Sequence, residues 1–407
     1  MNCRHCKKEL THVFADLGFA PPSNAYVTTD DLLGPEKFYP LRVMVCDKCW
    51  LVQTEDFTLA GELFNDDYAY FSSASKSWLE HAEKFSTEIS KDLNLTEKSC
   101  VIEIASNDGY LLKNFINMKI PCIGIEPTIS TARAAEAYGI EVIQEFFTLS
   151  LAKKMRADGV LADLIVGNNV YAHVPDINDF TEGIKNILNK NGVVTLEFPH
   201  LLNLIKYNQF DTIYHEHFSY LSLSVVSNIF KENGLKIFNV VNLSTHGGSL
   251  RVYGCHESDP REISEAVSQT MHEEIEFGLK IIATYENFQK RMFSVKYQFL
   301  KFLLEAKQGN KKIVAYGAAA KGNTLLNYCG VKADLISFVA DAAKSKQGKF
   351  LPGSHIPIVT PKDLIDFRPD YVIVFPWNIF DEVMKQLSST DLLDTVFVTA
   401  IPHLELH

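Results

Sequence analysis

Two pairs of cysteines restrict the fold of the amino-terminal region more than any other feature of the sequence. Two residues separate Cys3 from Cys6, and two separate Cys46 from Cys49. Each pair can form a turn that presents two thiolates, and four thiolates make a closed tetrahedral zinc site. Such a site leaves no coordination position for water, so the sequence predicts a zinc ion that stabilises a small lobe. The alternative is four unligated thiols in a surface lobe.

The composition and charge exclude several classes of protein. Hydrophobic residues make up 46% of the 407 residues, which is enough to bury more than one core. The 39 basic residues are outnumbered by 50 acidic ones, and this net charge of −11 argues against non-specific binding of nucleic acid. The chain begins MNCRHCKKEL, which does not resemble a signal peptide, and no run approaches the roughly 18 apolar residues of a membrane span. We therefore expect a cytoplasmic protein that does not enter a membrane.

Short β-rich runs alternate with helical patterns in two regions, which is typical of parallel sheets with crossover helices. The predicted strands of the two regions are Val101–Ile104, Cys122–Ile125, Leu164–Val166, Val193–Leu196 and Gly248–Tyr253, then Ile313–Tyr316, Leu335–Val339, Tyr371–Phe375 and Val396–Val398. Residues 258–309 have apolar residues at helical spacing and predict long helices. The sequence thus predicts an α/β protein with a zinc-binding lobe (1–70), a doubly wound domain (71–257), and a helical linker with a smaller Rossmann-like domain (258–407).

The loop after the first predicted strand of the central region has the spacing of a nucleotide-binding loop. Residues 103–109 read EIASNDG, which matches the E-x-G-x-G-x-G loop of class I S-adenosylmethionine methyltransferases except that Ala105 and Asn107 replace glycines. Glu126 ends the next strand, where a carboxylate can bind both ribose hydroxyls. Asp108 suits a cationic sulfonium better than the pyrophosphate of NAD. The alternative is a tight turn that binds no ligand.

Later residues extend this candidate cofactor site. Phe146 and Phe147 follow the third predicted strand of the sheet, which lies between Cys122–Ile125 and Leu164–Val166. They can flank an adenine ring, although two adjacent aromatics are also ordinary core residues. Asn168 and Asn169 follow the fourth strand, where side chains line the crevice of an α/β sheet or cap a helix. The candidate cofactor residues are therefore Glu103, Ala105, Ser106, Asn107, Gly109, Glu126, Phe146, Phe147, Asn168 and Asn169.

The densest group of ionisable residues is Ile213–Tyr220, which reads IYHEHFSY. A histidine titrates near neutral pH and can act as a general base, and a nearby carboxylate or tyrosine can orient it or return a proton. Two histidines at positions i and i+2 share a side only in a strand, so metal chelation requires an extended segment. The segment therefore predicts catalysis, with metal binding and structural hydrogen bonding as the alternatives.

The carboxy-terminal region contains a candidate anion site. Residues 316–323 read YGAAAKGN, which follow a predicted strand and open a helix, so free backbone amides lie near Lys321. The next strand is followed by a lysine-rich, turn-rich loop that includes Lys346. Together with Asn323, these residues predict a site for the pyrophosphate of a nucleotide-linked substrate. The alternative is a glycine-capped turn beside a solvated basic loop.

The order of these motifs resembles that of S-adenosylmethionine-dependent sugar C-methyltransferases, including the carbon-3 methyltransferases of deoxysugar biosynthesis. The resemblance covers nearly the whole chain: the four-cysteine lobe, the E-I-x-S-N-D-G loop, Y-x-E-H, H-G-G-S-x-R and the terminal G-A-A-A-K-G. It implies a structural zinc ion, a central class I methyltransferase domain that binds S-adenosylmethionine, and a carboxy-terminal domain that helps to bind a nucleotide-linked 4-keto sugar. It also implies a reaction between the two domains.

The resemblance implies roles for individual residues. The zinc ligands fall on Cys3, Cys6, Cys46 and Cys49, and the catalytic residues on Tyr214, Glu216, His217, His173 and an aromatic residue ahead of the cofactor domain, which is Tyr70 or, as a competitor, Tyr68. The candidate substrate-binding residues are Lys321, Asn323, Lys346, His246 and Arg251. The usual glycine is replaced at Ala105, whose methyl group tightens the cofactor loop without forbidding binding.

A mechanism follows from the chemistry of a 4-keto sugar. The ketone acidifies the proton on carbon 3, so that a base can form an enolate whose carbon accepts the sulfonium methyl group. We expect His217 to remove the proton, Tyr214 and His173 to stabilise or reprotonate the enolate region, and Glu216 to hold a sugar hydroxyl. O-methylation of a sugar or secondary metabolite, or an inactive zinc-containing scaffold, are the alternatives. The expected assembly is a monomer or a small homo-oligomer.

Overall fold

The structure is a computed structural model that describes residues 1–57, 71–387, 392 and 394–407. Among these residues no helix combines the length and the apolar composition that a membrane crossing requires.

The amino-terminal lobe contains an antiparallel sheet that borrows a strand from further along the chain. Its strands are β1 (His12–Ala20), β2 (Tyr39–Val45), β3 (Val52–Thr54) and β9 (Ser219–Tyr220), in that order across the sheet. Val52 lies opposite Tyr220, and Gln53 opposite Ser219. Because β9 directly follows the Ile213–Phe218 segment, the lobe fixes one end of the histidine-rich loop.

The central domain contains a seven-stranded sheet. Its strands are β4 (Val101–Ile104), β5 (Cys122–Ile125), β6 (Glu141–Ile143), β7 (Ala162–Asn168), β8 (Leu188–Pro199), β10 (Leu235–Leu243) and β11 (Ser249–His256). They lie in the order β6–β5–β4–β7–β8–β11–β10, and β11 is antiparallel to both of its neighbours. The chain turns from β4 to β5 on one side and returns to β7 on the other, which places a ligand crevice at the carboxyl ends of β4 and β7.

Helices cover this sheet and connect it to the next domain. Those of the central domain are α1 (Lys76–Asp92), α2 (Leu112–Asn117), α3 (Ile129–Glu136), α4 (Leu149–Ala157), α5 (Ile177–Ile187), α6 (Leu201–Lys206) and α7 (Leu223–Glu232). The linker contains α8 (Glu265–Phe277), α9 (Ile282–Glu286) and α10 (Phe288–Gln308). Long helices are thus found where the spacing of apolar residues predicts them.

The carboxy-terminal domain contains a second doubly wound sheet. Its strands are β12 (Ile313–Tyr316), β13 (Val339–Ala340), β14 (Ile358–Val359), β15 (Tyr371–Val374), β16 (Val396–Thr399) and β17 (Glu405–Leu406), and its helices are α11 (Ala320–Cys329), α12 (Pro361–Phe367) and α13 (Phe380–Leu387). The order is β14–β13–β12–β15–β16–β17, with only β17 antiparallel to its neighbour. The strand predicted at Leu335–Val339 is wrong over most of its length, because β13 begins only at Val339.

The lobe shares its core with the rest of the protein. Phe14 of β1 stacks on Phe288 of α10, with ring centroids 4.7 Å apart, and also contacts Tyr285. On the other side of the lobe, Cys3 and Cys46 belong to a buried cluster that continues into the central domain. The lobe is therefore packed between the linker helices and the central sheet.

Candidate active site

The four cysteines of the lobe converge on one point. Their sulfur atoms all lie within 4.8 Å of one another. The Sγ atoms of Cys3 and Cys49 are 3.5 Å apart, as are those of Cys6 and Cys46. A tetrahedral zinc ion with Zn–S distances of about 2.3 Å separates its sulfur ligands by about 3.8 Å. The arrangement fits a closed zinc site whose thiolates hold the ion without leaving a position for substrate.

A cavity with a volume of about 620 Å³ lies between the central and carboxy-terminal domains. Its walls come from the carboxyl ends of β4, β5 and β7, from the histidine-rich loop, from the start of α11, and from Asn24 of the lobe. All three parts of the chain therefore contribute to one site.

Seven of the ten candidate cofactor residues line this cavity: Ala105, Asn107, Glu126, Phe146, Phe147, Asn168 and Asn169. The other three lie behind the loop. Glu103 and Ser106 are fully buried, and burial raises the pKa of Glu103 well above its usual value. Gly109 packs against Ala135, so that a side chain at this position would collide with Ile140.

The backbone of the loop explains its spacing. Ala105 and Asn107 both have a left-handed conformation, with φ values of 59° and 49°, which glycine adopts without strain. The Glu126 carboxylate accepts hydrogen bonds from the backbone N–H groups of Asn107 (3.0 Å) and Thr128 (2.9 Å). The loop and Glu126 are thereby fixed relative to each other at the edge of the cavity.

The residues of this half of the cavity fit S-adenosylmethionine. Asn168 Oδ1 is buried and has no hydrogen-bond partner among the described residues, so it offers an acceptor for an ammonium group. The Glu126 carboxylate suits ribose hydroxyls. Half-exposed Phe146 and buried Phe147 supply apolar surface beside them.

Two histidines meet at the other half of the cavity. The ring centroids of His173 and His217 are 4.6 Å apart. His173 Nδ1 donates to the backbone carbonyl of Glu216 (2.7 Å), and His217 Nδ1 donates to that of Thr212 (3.1 Å). These bonds place the proton of each neutral ring on Nδ1, so Nε2 is the basic nitrogen.

Burial keeps this pair uncharged. It lowers the pKa of His173 to about 4 and that of His217 well below its usual value, with the neighbouring His173 adding to the effect on His217. Both imidazoles are therefore neutral at neutral pH, which is the protonation state that a general base requires.

Tyr214 and Glu216 lie beside the pair. The rings of Tyr214 and His217 are 4.2 Å apart, and both residues line the cavity. The carboxylate of Glu216 accepts hydrogen bonds from Ser23 Oγ (3.2 Å) and Asn24 Nδ2 (3.3 Å) of the lobe. Burial raises the pKa of Glu216, while these two donors oppose the shift.

His215 points to a different environment. It contacts Tyr39 and the carbonyl of Pro40 in the lobe, and it does not line the cavity. Residues 213–218 contain a turn at 215–216 and no strand. The extended geometry that metal chelation by His215 and His217 requires is absent from this described segment.

Two lysines of the carboxy-terminal domain face the same cavity. Lys321 Nζ donates to Asn378 Oδ1 (2.6 Å) and lies 4.3 Å from the ring centroid of Trp377. Burial lowers the pKa of Lys321 to about 8. Lys346 Nζ donates to the carbonyl of Ala318 (2.8 Å). The two ammonium groups supply the positive charge that a phosphate group needs.

The remaining substrate candidates are placed differently. His246 lines the cavity, where its Nε2 is 3.1 Å from Asn169 Nδ2, and burial lowers its pKa to about 4. Arg251 lies outside the cavity lining and forms a buried ion pair with Glu197. Asn323 also lies outside it and donates to the carbonyl of Ser23 (2.6 Å). Tyr70 and its competitor Tyr68 fall outside the described residues.

Among the cavity residues that the sequence reasoning missed are Asn24, Trp78 and Asn378. Asn24 ends a turn-rich stretch, GFAPPSN, that carries no motif. Asn378 had a usable signal, because it follows β15 at the carboxyl end of a strand, where ligand contacts concentrate. Trp78 lies in the first turn of α1 and stacks near Tyr110, with centroids 5.9 Å apart.

Family models match the three parts of the chain. A zinc-binding domain matches residues 3–64, a methyltransferase domain residues 77–240, and a C-methyltransferase C-terminal domain residues 244–402. A curated relative, C-methyltransferase NovU of Streptomyces niveus, is 33% identical over 382 residues, which is 94% of this chain and 91% of the relative. The chain belongs to the C-methyltransferase family. A C-methyltransferase of this family uses S-adenosylmethionine as methyl donor, and its zinc-binding domain accounts for the four-cysteine site.

Two solved structures that are similar to this C-methyltransferase each cover less than half of it. An S-adenosylmethionine-dependent methyltransferase of Clostridium acetobutylicum is 11% identical with a TM-score of 0.36, and covers 44% of this chain and 92% of its own. Magnesium protoporphyrin IX methyltransferase of Synechocystis is 13% identical with a TM-score of 0.34, and covers 44% and 79%. The expected α/β fold class, with its zinc lobe and class I methyltransferase domain, is confirmed by the family models and the cysteine cluster.

Proposed function

We propose that this C-methyltransferase transfers a methyl group to carbon 3 of a nucleotide-linked 4-keto deoxysugar. One observation carries the proposal. A neutral imidazole with a fixed tautomer, His217, lines the same cavity as the cofactor loop at one side and two lysines at the other.

The first step is removal of the proton on carbon 3. The adjacent ketone acidifies this proton, and the pair of electrons left on carbon is delocalised onto the ketone oxygen as an enolate. His217 Nε2 receives the proton, because Nδ1 already donates to Thr212. A positioned general base is worth about 10²–10⁴ in rate.

The neighbouring side chains support this proton transfer. His173 has the same tautomer, and Tyr214 lies against His217, so both are placed to stabilise the enolate region or to return a proton. Glu216, held by Ser23 and Asn24, is placed to accept a hydrogen bond from a sugar hydroxyl.

The methyl donor occupies the other half of the cavity. When bound, S-adenosylmethionine would supply an electrophilic methyl group to the enolate carbon and leave as S-adenosylhomocysteine while the ketone is regenerated, and this transfer requires no metal. Ala105, Asn107, Glu126 and Asn168 would hold it, while Phe147 excludes water from its surroundings.

The nucleotide part of the substrate is assigned to the carboxy-terminal side. Lys321 begins α11 at the end of β12, where backbone N–H groups and the helix dipole favour an anion. Lys346 lies beside the start of the same helix, because its Nζ donates to the backbone carbonyl of Ala318. The two lysines support a diphosphate in this position.

The proposal is tested with zinc-loaded protein, S-adenosylmethionine and a panel of dTDP-, GDP- and CDP-linked 4-keto-6-deoxysugars. Mass spectrometry is expected to detect one added methyl group that resists O-demethylation. A product that loses the methyl group on O-demethylation would instead indicate O-methylation. Failure of every panel member, with S-adenosylmethionine bound, would contradict the substrate class.

A further inference from the structure

Arg4 lies inside the first zinc-binding turn, between Cys3 and Cys6, and its side chain extends from the lobe to residues of the central domain. The side chain is 5% exposed. Its guanidinium donates to the backbone carbonyls of Thr54 (2.9 Å), Pro175 (3.0 Å) and Phe218 (3.2 Å), and it pairs with the carboxylate of Asp56. A buried guanidinium with four hydrogen bonds is thereby shared among three segments of the chain.

Two of these carbonyls belong to the loops that carry the histidine pair. Pro175 lies two residues after His173, and Phe218 immediately follows His217. The third partner also contacts the second loop, because Thr54 Oγ1 donates to the carbonyl of His217 (3.1 Å). The Arg4 side chain thus holds the backbone of both loops, one or two residues after each histidine.

The other end of Arg4 is held by the zinc-binding turn. Its backbone N–H donates to Gln53 Oε1 (2.8 Å), and Gln53 Nε2 lies 3.3 Å from Cys3 Sγ. The next residue, His5, is held by Asn178 of α5 through its Nδ1 (2.8 Å). Because the four thiolates fit a zinc ion, the turn is a rigid support when the ion is bound.

We propose that Arg4 is a positioning residue that transmits the rigidity of the zinc site to the His173–His217 pair. Arg4 does not line the cavity, so it acts through the two loops and not by contact with substrate. The planar guanidinium has five donors in a fixed fork, whereas a lysine ammonium is a compact charge on a flexible stem. The proposal rests on the proposed function of the two histidines.

The first test compares Arg4→Met and Arg4→Lys with a matched control, Lys8→Met. Lys8 is a cation of the same lobe whose ion pair with Asp47 (2.7 Å) stays within the lobe. A misplacement of about 1 Å can cost about 100-fold in rate, so we expect Arg4→Met to lower kcat by about that factor. The KM for sugar nucleotide and the affinity for S-adenosylmethionine should stay within about threefold of the wild type, since Arg4 does not contact the cavity. Lys8→Met should leave all three unchanged.

The second test does not depend on the identity of the substrate. Imidazole ¹⁵N resonances of zinc-loaded protein, assigned with His173→Gln and His217→Gln, report the tautomer and hydrogen bonds of each ring. We expect Arg4→Met, and removal of zinc by a chelator, to shift the signals of both histidines, and Lys8→Met to leave them in place. If Arg4→Met does not fold, Arg4→Lys is used and should produce shifts of the same sign.

The outcomes separate the inference from the proposed function. A folded, zinc-loaded Arg4 variant with wild-type histidine signals and wild-type kcat would overturn the positioning role, even if the panel of sugar nucleotides is methylated. Shifted histidine signals in a protein that methylates no panel member would retain the positioning role and reject the substrate class. A rise in KM with unchanged kcat would assign Arg4 to binding and would also overturn the inference.

Discussion

The imidazole rings of His173 and His217 lie 4.6 Å apart, and each donates its Nδ1 proton to a backbone carbonyl, that of Glu216 for His173 and that of Thr212 for His217. Their basic nitrogens are therefore both Nε2. A proton on one ring disfavours a proton on the other, so the pair accepts one proton more readily than two. This is the behaviour expected of a base with a neighbour that can relay the proton.

Replacement of His217 by Gln is expected to lower kcat by about 10²–10⁴ with little change in the affinity for S-adenosylmethionine, because the base is lost and the cofactor loop is not touched. The matched control is His215→Gln, which alters the same loop at a histidine outside the cavity. Steady-state kinetics and calorimetry measure the two quantities. Equal activity of His217→Gln and His215→Gln would remove His217 from the mechanism.

The stability of the protein should fall as the pH drops from about 6.5 to about 4. Burial lowers the folded-state pKa of His173 to about 4 from the ordinary value of 6.5. The unfolded chain then binds more protons than the folded one in this window, so acid favours unfolding. For His173 alone the effect amounts to about 3 kcal/mol. Urea denaturation between pH 4 and 7 measures how the free energy of unfolding depends on pH. This free energy should fall less steeply with acid in His173→Gln than in the wild type, and an equal pH dependence would contradict the buried, neutral state.

Replacement of Glu103 by Gln should stabilise the protein at pH 7. The carboxyl group is fully buried, and burial raises its pKa well above the ordinary value, so the folded state retains a proton that the unfolded state loses above pH 4.5. The stability from this group is complete below pH 4.5 and declines as the pH rises towards the folded-state pKa. Gln keeps the shape without that pH dependence. Thermal denaturation should therefore show a higher stability of Glu103→Gln than of the wild type at pH 7 and equal stabilities at pH 4. A lower stability of the variant at pH 7 would show that the folded protein needs the ionised carboxylate.

Replacement of Ala105 by Gly should raise the free energy of unfolding by about 0.5–1 kcal/mol, because glycine relieves the left-handed strain at φ 59° and this outweighs its entropic cost. The control is Ala132→Gly in α3, where the same change should lower stability by about the same amount. Chemical denaturation of the two variants measures both effects. A loss of stability in both variants would show that Ala105 is not strained.

Replacement of Lys321 by Met is expected to raise the KM for the sugar nucleotide by about tenfold or more, because one charged hydrogen bond to a phosphate is lost. The affinity for S-adenosylmethionine should change little. Lys344→Met, at an exposed lysine of the following loop outside the cavity, is the control. An unchanged KM in Lys321→Met, measured with a methylated panel substrate, would move the diphosphate away from this lysine.

Local patterns predicted those parts of the structure that local chemistry determines. The two C-x-x-C pairs predicted the cysteine cluster, and the loop at 103–109 with Glu126 predicted one side of the cavity. The strand predicted at Leu335–Val339 was wrong because Ile336 is buried in the core without pairing in a sheet. Apolar content alone does not distinguish a buried loop residue from a buried strand residue.

Contacts between distant segments were outside the reach of these patterns. Asn24 reaches Glu216 from the lobe, and β9 joins the sheet of the lobe from the central domain. Arg4 lies in a motif that was noticed only for its cysteines, and its partners are more than 170 residues away at Pro175 and Phe218. Such contacts depend on how whole domains pack, and the sequence near each residue carries no sign of them.

Exchange of the carbon-3 proton with solvent tests the central claim most directly. A nucleotide-linked 4-keto deoxysugar is incubated in D₂O with zinc-loaded protein and S-adenosylhomocysteine, which has no methyl group to transfer, and the carbon-3 proton is followed by NMR. The account predicts that its signal disappears with the wild type and persists with His217→Gln. Methyl transfer to the same sugar without any enzyme-catalysed exchange, or rapid exchange by His217→Gln, would contradict it.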